Sequence, residues 1–326
     1  MERVTYGFVL RADSPIAHHS ESIGNTAVLM TRGQRLASGE IIQVPCITAD
    51  TMRHGVREAA VDAFIAAAGL RDLTTAALRL LFAGGQITGS AGGSVSIKEY
   101  HEMVDLVPPL GLLGGCANNR MIPGRLTVED AVLVCEETLT VLPQWVQDWL
   151  ASIGSSAAPM GPHIEEATRV RMDPVNNPHR RKMLAAKERE GEEARLALSE
   201  KASSDGDHVL AEQSKSTMMP RTFERLVTGS LFSWQIHALV DSELERDLFH
   251  VMLLGFLADA RVGGKRGTGH GHLVPEAARD IKLTTTAEVD RLDVTALARG
   301  GIGSMFRAHV AERAEKIAAF LAEVEA

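Results

Sequence analysis

Two alternating apolar stretches, further short apolar runs, two amphipathic helices set among them and one long excursion poor in large apolar residues predict an α+β fold. The expected core is a ferredoxin-like βαββαβ unit with large insertions. The 326 residues are enough to bury a large core. Aliphatic side chains have to supply it, because aromatics make up only 4% of the sequence.

The elements follow in order. Val4, Tyr6, Phe8 and Leu10 alternate with Thr5, Gly7, Val9 and Arg11, a strand expected to be buried on one face. Ser14-Pro15 ends it, and a loop with His18, His19 and Glu21 follows. Ile41 to Val44 reads as a short strand closed by Pro45. Thr48 to Ala68 is the clearest helix, with Met52, Val56, Ala60, Phe64 and Ala67 as its apolar stripe. Arg53 and Arg57 lie one turn apart and so share a face. A second helix is expected over Leu73 to Phe82, and Leu106 to Pro123, with its prolines and glycines, as irregular loop. Leu126 to Cys135 is a valine-rich strand, and Pro143 to Ile153 a short helix with Trp145 and Trp149 on one face.

Ser155 to Met219 differs in character. Arg169, Arg171, His179, Arg180, Arg181 and Lys182 crowd its first half. Arg180 to Glu200 has helical composition with little apolar stripe, so these cations are expected near a helix N-terminus, where the macrodipole disfavours them. The stretch reads as an insertion at 155–219, leaving 1–154 and 220–326 to form the core. Regular structure resumes with a strand through Phe232, Trp234, Ile236 and Ala238 and a helix from Ser242 to Ala260, whose Ser242 and Glu245 match a capping box. A strand from His272 to Leu283 and a C-terminal amphipathic helix from Ser304 to Glu325 complete the chain.

Between that helix and strand lies Gly263-Gly264-Lys265-Arg266-Gly267-Thr268-Gly269-His270-Gly271, five glycines in nine residues. Glycine permits positive φ and close backbone approach. With two cations present, the loop suits a polyanion held by backbone N–H groups and charge, or else is a flexible turn with solvated cations. It is not a P-loop, which needs Gly-Lys-Ser/Thr opening a helix.

The formal net charge is −8, so any nucleic-acid site has to be a local patch on an acidic molecule. Three scattered cysteines without CxxC spacing predict a reducing compartment and no zinc knuckle. Adjacent His18 and His19 rarely converge on one ion, so no metal or other cofactor is expected. No signal peptide and no membrane-spanning run is read, and the cytoplasm is the expected location.

The glycine loop resembles that of the RAMP superfamily, the repeat-associated proteins of CRISPR systems, whose core is the RNA-recognition (RRM) form of βαββαβ. Val44-Pro45 with Thr51-Met52-Arg53-His54-Gly55-Val56-Arg57 is similar to the family's helix start, and Arg125-Leu126 with Asp130-Ala131 to its arginine–leucine strand. Arg169-Val170-Arg171, Pro220-Arg221, Glu224-Arg225 and Gly229 with Phe232 resemble the segments flanking the thumb of the backbone subunits. The resemblance runs from about residue 4 to residue 275. It implies a non-catalytic, RNA-binding backbone subunit, the seven-group, of an RNA-guided antiviral effector complex. Such subunits oligomerise along the guide RNA and present it for target pairing. The palm binds the guide's backbone, and a helical thumb props its bases apart. The partners implied are guide RNA, complementary target nucleic acid, further copies in a helical filament and other effector subunits, with no membrane.

Phosphate contacts are expected from Arg53, Arg57, Lys265 and Arg266, positioning RNA without reading its sequence. Gly263, Gly264, Gly267 and Gly269 would bring backbone to the RNA, with His18 and His19 beside it. Arg169, Arg171, Arg180, Arg181, Arg221 and Arg225 would act at and beside the thumb. At Cys46 the family has glycine. Ala27 falls where target-cleaving type III backbones carry a catalytic aspartate, with Asp13 and Glu21 the acids nearby. These departures resemble the type IV backbone. Two other classes stay open, a related endoribonuclease using His18 or His19 and an oligomeric scaffold without nucleic acid.

Overall fold

The computed structural model describes residues 1–36, 38–86, 95–169, 174, 177–204, 221–280 and 302–324. In chain order the strands are β1 (Glu2–Ala12), β2 (His19–Ile23), β3 (Thr26–Leu29), β4 (Thr31–Arg35), β5 (Ile41–Ile47), β6 (Gly115–Ala117), β7 (Arg120–Ile122), β8 (Leu126–Val128), β9 (Ala131–Leu133), β10 (Ile164–Arg169), β11 (Arg221–Leu226), β12 (Leu231–Val240), β13 (Ala260–Arg261) and β14 (His272–Asp280). The helices are α1 (Ala49–Ala68), α2 (Thr75–Leu78), α3 (Ile97–Leu106), α4 (Pro108–Leu113), α5 (Gln144–Ser152), α6 (Pro178–Arg181), α7 (Ala186–Ser204), α8 (Glu243–Ala258), α9 (Ser304–Glu312) and α10 (Ala314–Glu323). The chain forms two units. The larger comprises Met1–Ser20, Leu29–Glu165 and Arg225–Ala326, the smaller Glu21–Val28 and Glu166–Glu224.

The larger unit is an α+β fold on an antiparallel sheet of order β13-β14-β1-β12-β9-β5-β4, with β8 also paired to β12. Its centre, β14-β1-β12 and then β8 and β9, is the ferredoxin-like or RRM strand order for βαββαβ. Long β1 and β12 pair from Glu2↔Val240 to Arg11↔Leu231. Their inward residues Phe8, Leu10, Phe232, Trp234 and Ile236 are fully buried. Removing each such side chain from water stabilises the fold by roughly 1.5–3 kcal/mol.

Helices α1 and α8 cover that face, and they pack closely because glycine lies at the contact. A Cβ on Gly55 would stand 2.5 Å from the Phe256 ring, and one on Gly255 would stand 3.1 Å from Ala59 Cβ. Phe256 in turn meets Trp234 edge-on at 5.7 Å. Helix α1 begins at Thr48, whose hydroxyl accepts from the Thr51 amide, and ends at left-handed Gly69.

Several expectations change. Strand β1 is buried on both faces, because Val9 packs with Val134, Leu142, Val146 and Leu150 beneath α5. Pro45 does not end β5. It stands opposite Thr31, and Cys46 beyond it donates to the Met30 carbonyl, so only proline's own missing donor is lost. The stretch 106–123 holds α4 and the β6–β7 hairpin. Pro108 and Pro109 open α4, where a missing N–H is harmless. The strand expected over Leu126 to Cys135 is two short ones, both paired to β12. The C-terminal helix breaks at Arg313 into α9 and α10.

The smaller unit is built on a sheet of order β10-β11-β3-β2. Strand β11 runs parallel to β3, with Thr222 opposite Thr26 and Phe223 opposite Ala27. The expected helix over Arg180 to Glu200 is two. The chain turns after α6, which carries Arg180 and Arg181, and α7 starts at Ala186 with Glu188 in its first turn. An acid there suits the helix dipole, and Arg180 and Arg181 lie before that turn, although Lys187 falls within it. Arg171 lies outside the described residues, as does the end of the strand expected over His272 to Leu283, residues 281–283.

Candidate functional site

The glycine loop is held at both ends by the segment that follows β1. Gly264 donates to the Ala17 carbonyl at 2.7 Å, and Gly271 to the Pro15 carbonyl at 2.9 Å. Gly263 (φ 69°) lies so close that a Cβ would stand 2.7 Å from the Ala17 oxygen, and one on Gly271 (φ 92°) would overlap the Val262 carbonyl. These two positions need glycine for both conformation and space. Between them Lys265 takes a left-handed backbone, φ 61°, which an L residue holds at a cost of order 1 kcal/mol. Arg266 to Thr268 make one tight turn, closed by Thr268 and Gly269 amides on the Lys265 and Arg266 carbonyls. The loop is therefore ordered by its own bonds. Arg266, Gly267 and Gly269 are exposed, and a Cβ on Gly267 or Gly269 would meet nothing within 4 Å.

Arg266 reaches towards Glu58 on α1 at 4.0 Å, and His54, one turn before, pairs with the same carboxylate at 3.3 Å. Glu58 was not singled out from the sequence. Its i,i+4 spacing to His54 was visible, but its nearness to residue 266 is long-range.

The same segment reaches the start of α1. His18 Nε2 accepts the Thr48 amide at 3.3 Å and lies 3.2 Å from the Thr48 hydroxyl. Asp130, from the turn between β8 and β9, accepts the Ala49 amide at 2.8 Å and pairs with Arg32 at 3.4 Å. Three side chains thus satisfy the first amides of α1. Burial, together with neighbouring His19, pushes the His18 imidazole below its ordinary pKa, and Asp130 opposes this weakly.

Arg53 and Arg57 are half-buried and point into the fold. Arg53 donates to the carbonyls of Leu126 (2.8 Å) and Leu113 (2.6 Å). Arg57 donates to Leu81 (3.2 Å), Leu113 (3.0 Å) and Gly114 (3.1 Å). Burial lowers both pKa values, and with the Arg53 charge beside it Arg57 falls to about 10. The pair braces the end of α4 where it meets the Gly114 elbow.

Arg225 lies in the larger unit and connects with the loop. It pairs with Glu165 at 2.7 Å, and its guanidinium is 3.4 Å from Nε2 of buried His270. His19 is half-exposed at the start of β2. In the smaller unit Arg169 lies over the Phe223 ring at 5.7 Å, and Arg180 and Arg221 are exposed. The larger unit therefore brings together Lys265, Arg266, His18, Arg225 and the start of α1, while Arg169, Arg180, Arg181 and Arg221 belong to the smaller.

Among the described residues, no group of three or more His, Cys, Asp or Glu side chains is placed to hold a metal ion. No described helix is long and apolar enough to cross a membrane. No protein-family model matches the chain, and no curated protein does. Among solved structures the chain is similar to a chain of a type IV-B CRISPR complex, with a TM-score of 0.53 and 16% identity over 91% of this chain and 98% of that one. At that identity the likeness is one of fold, and it extends over nearly the whole length of both chains.

Proposed function

We propose that this chain is a non-catalytic, RNA-binding backbone subunit of a type IV-like CRISPR effector complex. In this reading, copies assemble along a guide RNA with other effector subunits and present the guide to a complementary target. The observation that carries the reading is the glycine loop. It is fixed at both ends to the segment after β1, with Arg266 exposed and the space outside Gly267 and Gly269 open. A rigid backbone surface with cations suits a phosphate chain and has nothing that reads base edges. The shared fold with a chain of a type IV-B CRISPR complex supports the assembly named. Sequence would then be read by the guide's own pairing.

The test is to purify the chain with co-expressed neighbouring subunits and sequence the RNA that accompanies it. A defined guide-length RNA is expected. Lys265→Ala and Arg266→Ala should weaken binding equally for unrelated RNA sequences. Each should reduce the slope of log affinity against log salt by roughly 0.7, the single-strand value. Purification free of RNA, or a double variant with full affinity at moderate salt, refutes the reading. The non-catalytic part is separately testable, because labelled target incubated with magnesium or manganese should stay intact.

A further inference from the structure

Residues 17 and 18 join three parts of the larger unit. The Ala17 carbonyl takes the Gly264 amide, the His18 carbonyl takes the Met30 amide at 2.7 Å, and the His18 ring takes the Thr48 amide. A backbone N–H can only donate, so Nε2 of His18 must carry a lone pair, and a neutral ring has its proton on Nδ1. The Thr48 hydroxyl can then donate to Nε2 while accepting from the Thr51 amide.

We infer that His18 is a positioning residue that works as an uncharged acceptor, coupling the start of α1 to the glycine loop, and that protonation of its ring uncouples them. This rests on the proposed RNA-binding role of the loop. An imidazolium would face the Thr48 N–H with a second N–H and would compete for the Thr48 hydroxyl that caps Thr51. The positive end of α1 would repel it as well. The charged groups on the elements around it include His19 next in the chain, Asp130 and Arg32, Asp50, Arg53 and Glu58 on α1, and Lys265 and Arg266 in the loop. Asp130 is the one that favours the cation, and its carboxylate already takes the Ala49 amide and Arg32.

The sign separates this role from that of a ligand. A histidine that contacts phosphate binds RNA more tightly when protonated, whereas a positioning acceptor does so more weakly. The folded ring has a lowered pKa, so the unfolded chain takes up the proton first. Coupling is complete above the unfolded value and fades as pH falls through the folded one.

The experiment compares wild type with His18→Gln and His18→Asn, which keep an acceptor and do not titrate. Amide exchange at Gly264 and Thr48 is measured without RNA, and binding of a single-stranded RNA oligonucleotide is measured alongside. After correction for intrinsic exchange, the wild-type Gly264 amide should exchange several-fold faster at about pH 5 than at about pH 7.5, in the direction a lowered folded-state pKa requires. The acceptor variant that keeps wild-type protection at about pH 7.5 should show no such change. Oligonucleotide affinity, relative to that variant, should fall on acidification. Unchanged wild-type exchange, or affinity that rises on acidification in wild type alone, overturns the inference. If no RNA binds at any pH, the reading of the loop fails, while the exchange data still decide the coupling.

Discussion

Arg53 and Arg57 show how a side chain's partners decide its work. The sequence put them on one face of α1, and spacing alone could not say whether that face points in or out. Each terminal nitrogen donates to a carbonyl, of Leu81, Leu113, Gly114 or Leu126. Replacing either by methionine leaves half-buried carbonyls without donors, which costs about 1–3 kcal/mol per site. Urea denaturation should show the midpoint falling, with the salt slope of RNA binding unchanged. A lower slope at unchanged stability would mark them as phosphate ligands instead. Gly55 offers a second test. Alanine gains about 1 kcal/mol in helix propensity, but its methyl meets the buried Phe256 ring at 2.5 Å. Overpacking of this kind costs about 1–3 kcal/mol, so Gly55→Ala should lower the melting temperature, and a rise would mean α1 and α8 separate easily.

At the level of elements, period and caps were readable where one face is apolar and the other is not. That holds for α1 and α8, while in β1 and β12 the alternation was readable but the burial of the second face was not. It failed where a signal has two meanings. Pro108-Pro109 reads as a break, yet it opens α4, because the first turn of a helix needs no N–H donor. Leu126 to Cys135 reads as one valine-rich run, and the turn that divides it places Asp130 on the α1 amides. That cap joins residues 81 positions apart in sequence, and no local pattern announces it. The lack of large apolar residues marked 155–219 as an excursion in the sequence, whereas nothing local announced that 21–28 joins 166–224 in the smaller unit. Loop-closure entropy rises slowly with length. Replacing 176–215 by a short glycine–serine linker should therefore leave a cooperative unfolding transition. Particles assembled along a guide should become short or irregular, and the guide more open to nuclease. Full-length particles with a protected guide would mean that the excursion is no thumb.

For the molecule as a whole, a net charge of −8 confines nucleic-acid binding to a local surface, and the glycine loop is the place where the sequence announced one. The glycines marked it because close approach and positive φ leave a compositional trace, whereas its contacts to Pro15, Ala17 and Glu58 leave none. The second sheet face bears on how RNA would be held under the proposed function. Thr5, Val9, Ser233 and His237 on that side are buried, α5 closes over Val9, and no Phe, Trp or Tyr is exposed among the described residues. RNA-recognition domains use an open sheet with aromatic platforms on which bases stack. Here the larger unit offers a rim of loop and strand ends in place of a platform, so bases have no ring to lie on. RNA binding by this unit should then be nearly silent in tryptophan fluorescence and plain in the anisotropy of a labelled oligonucleotide. A strong quench of Trp145 or Trp149 on titration would mean that the closed face opens to admit the bases.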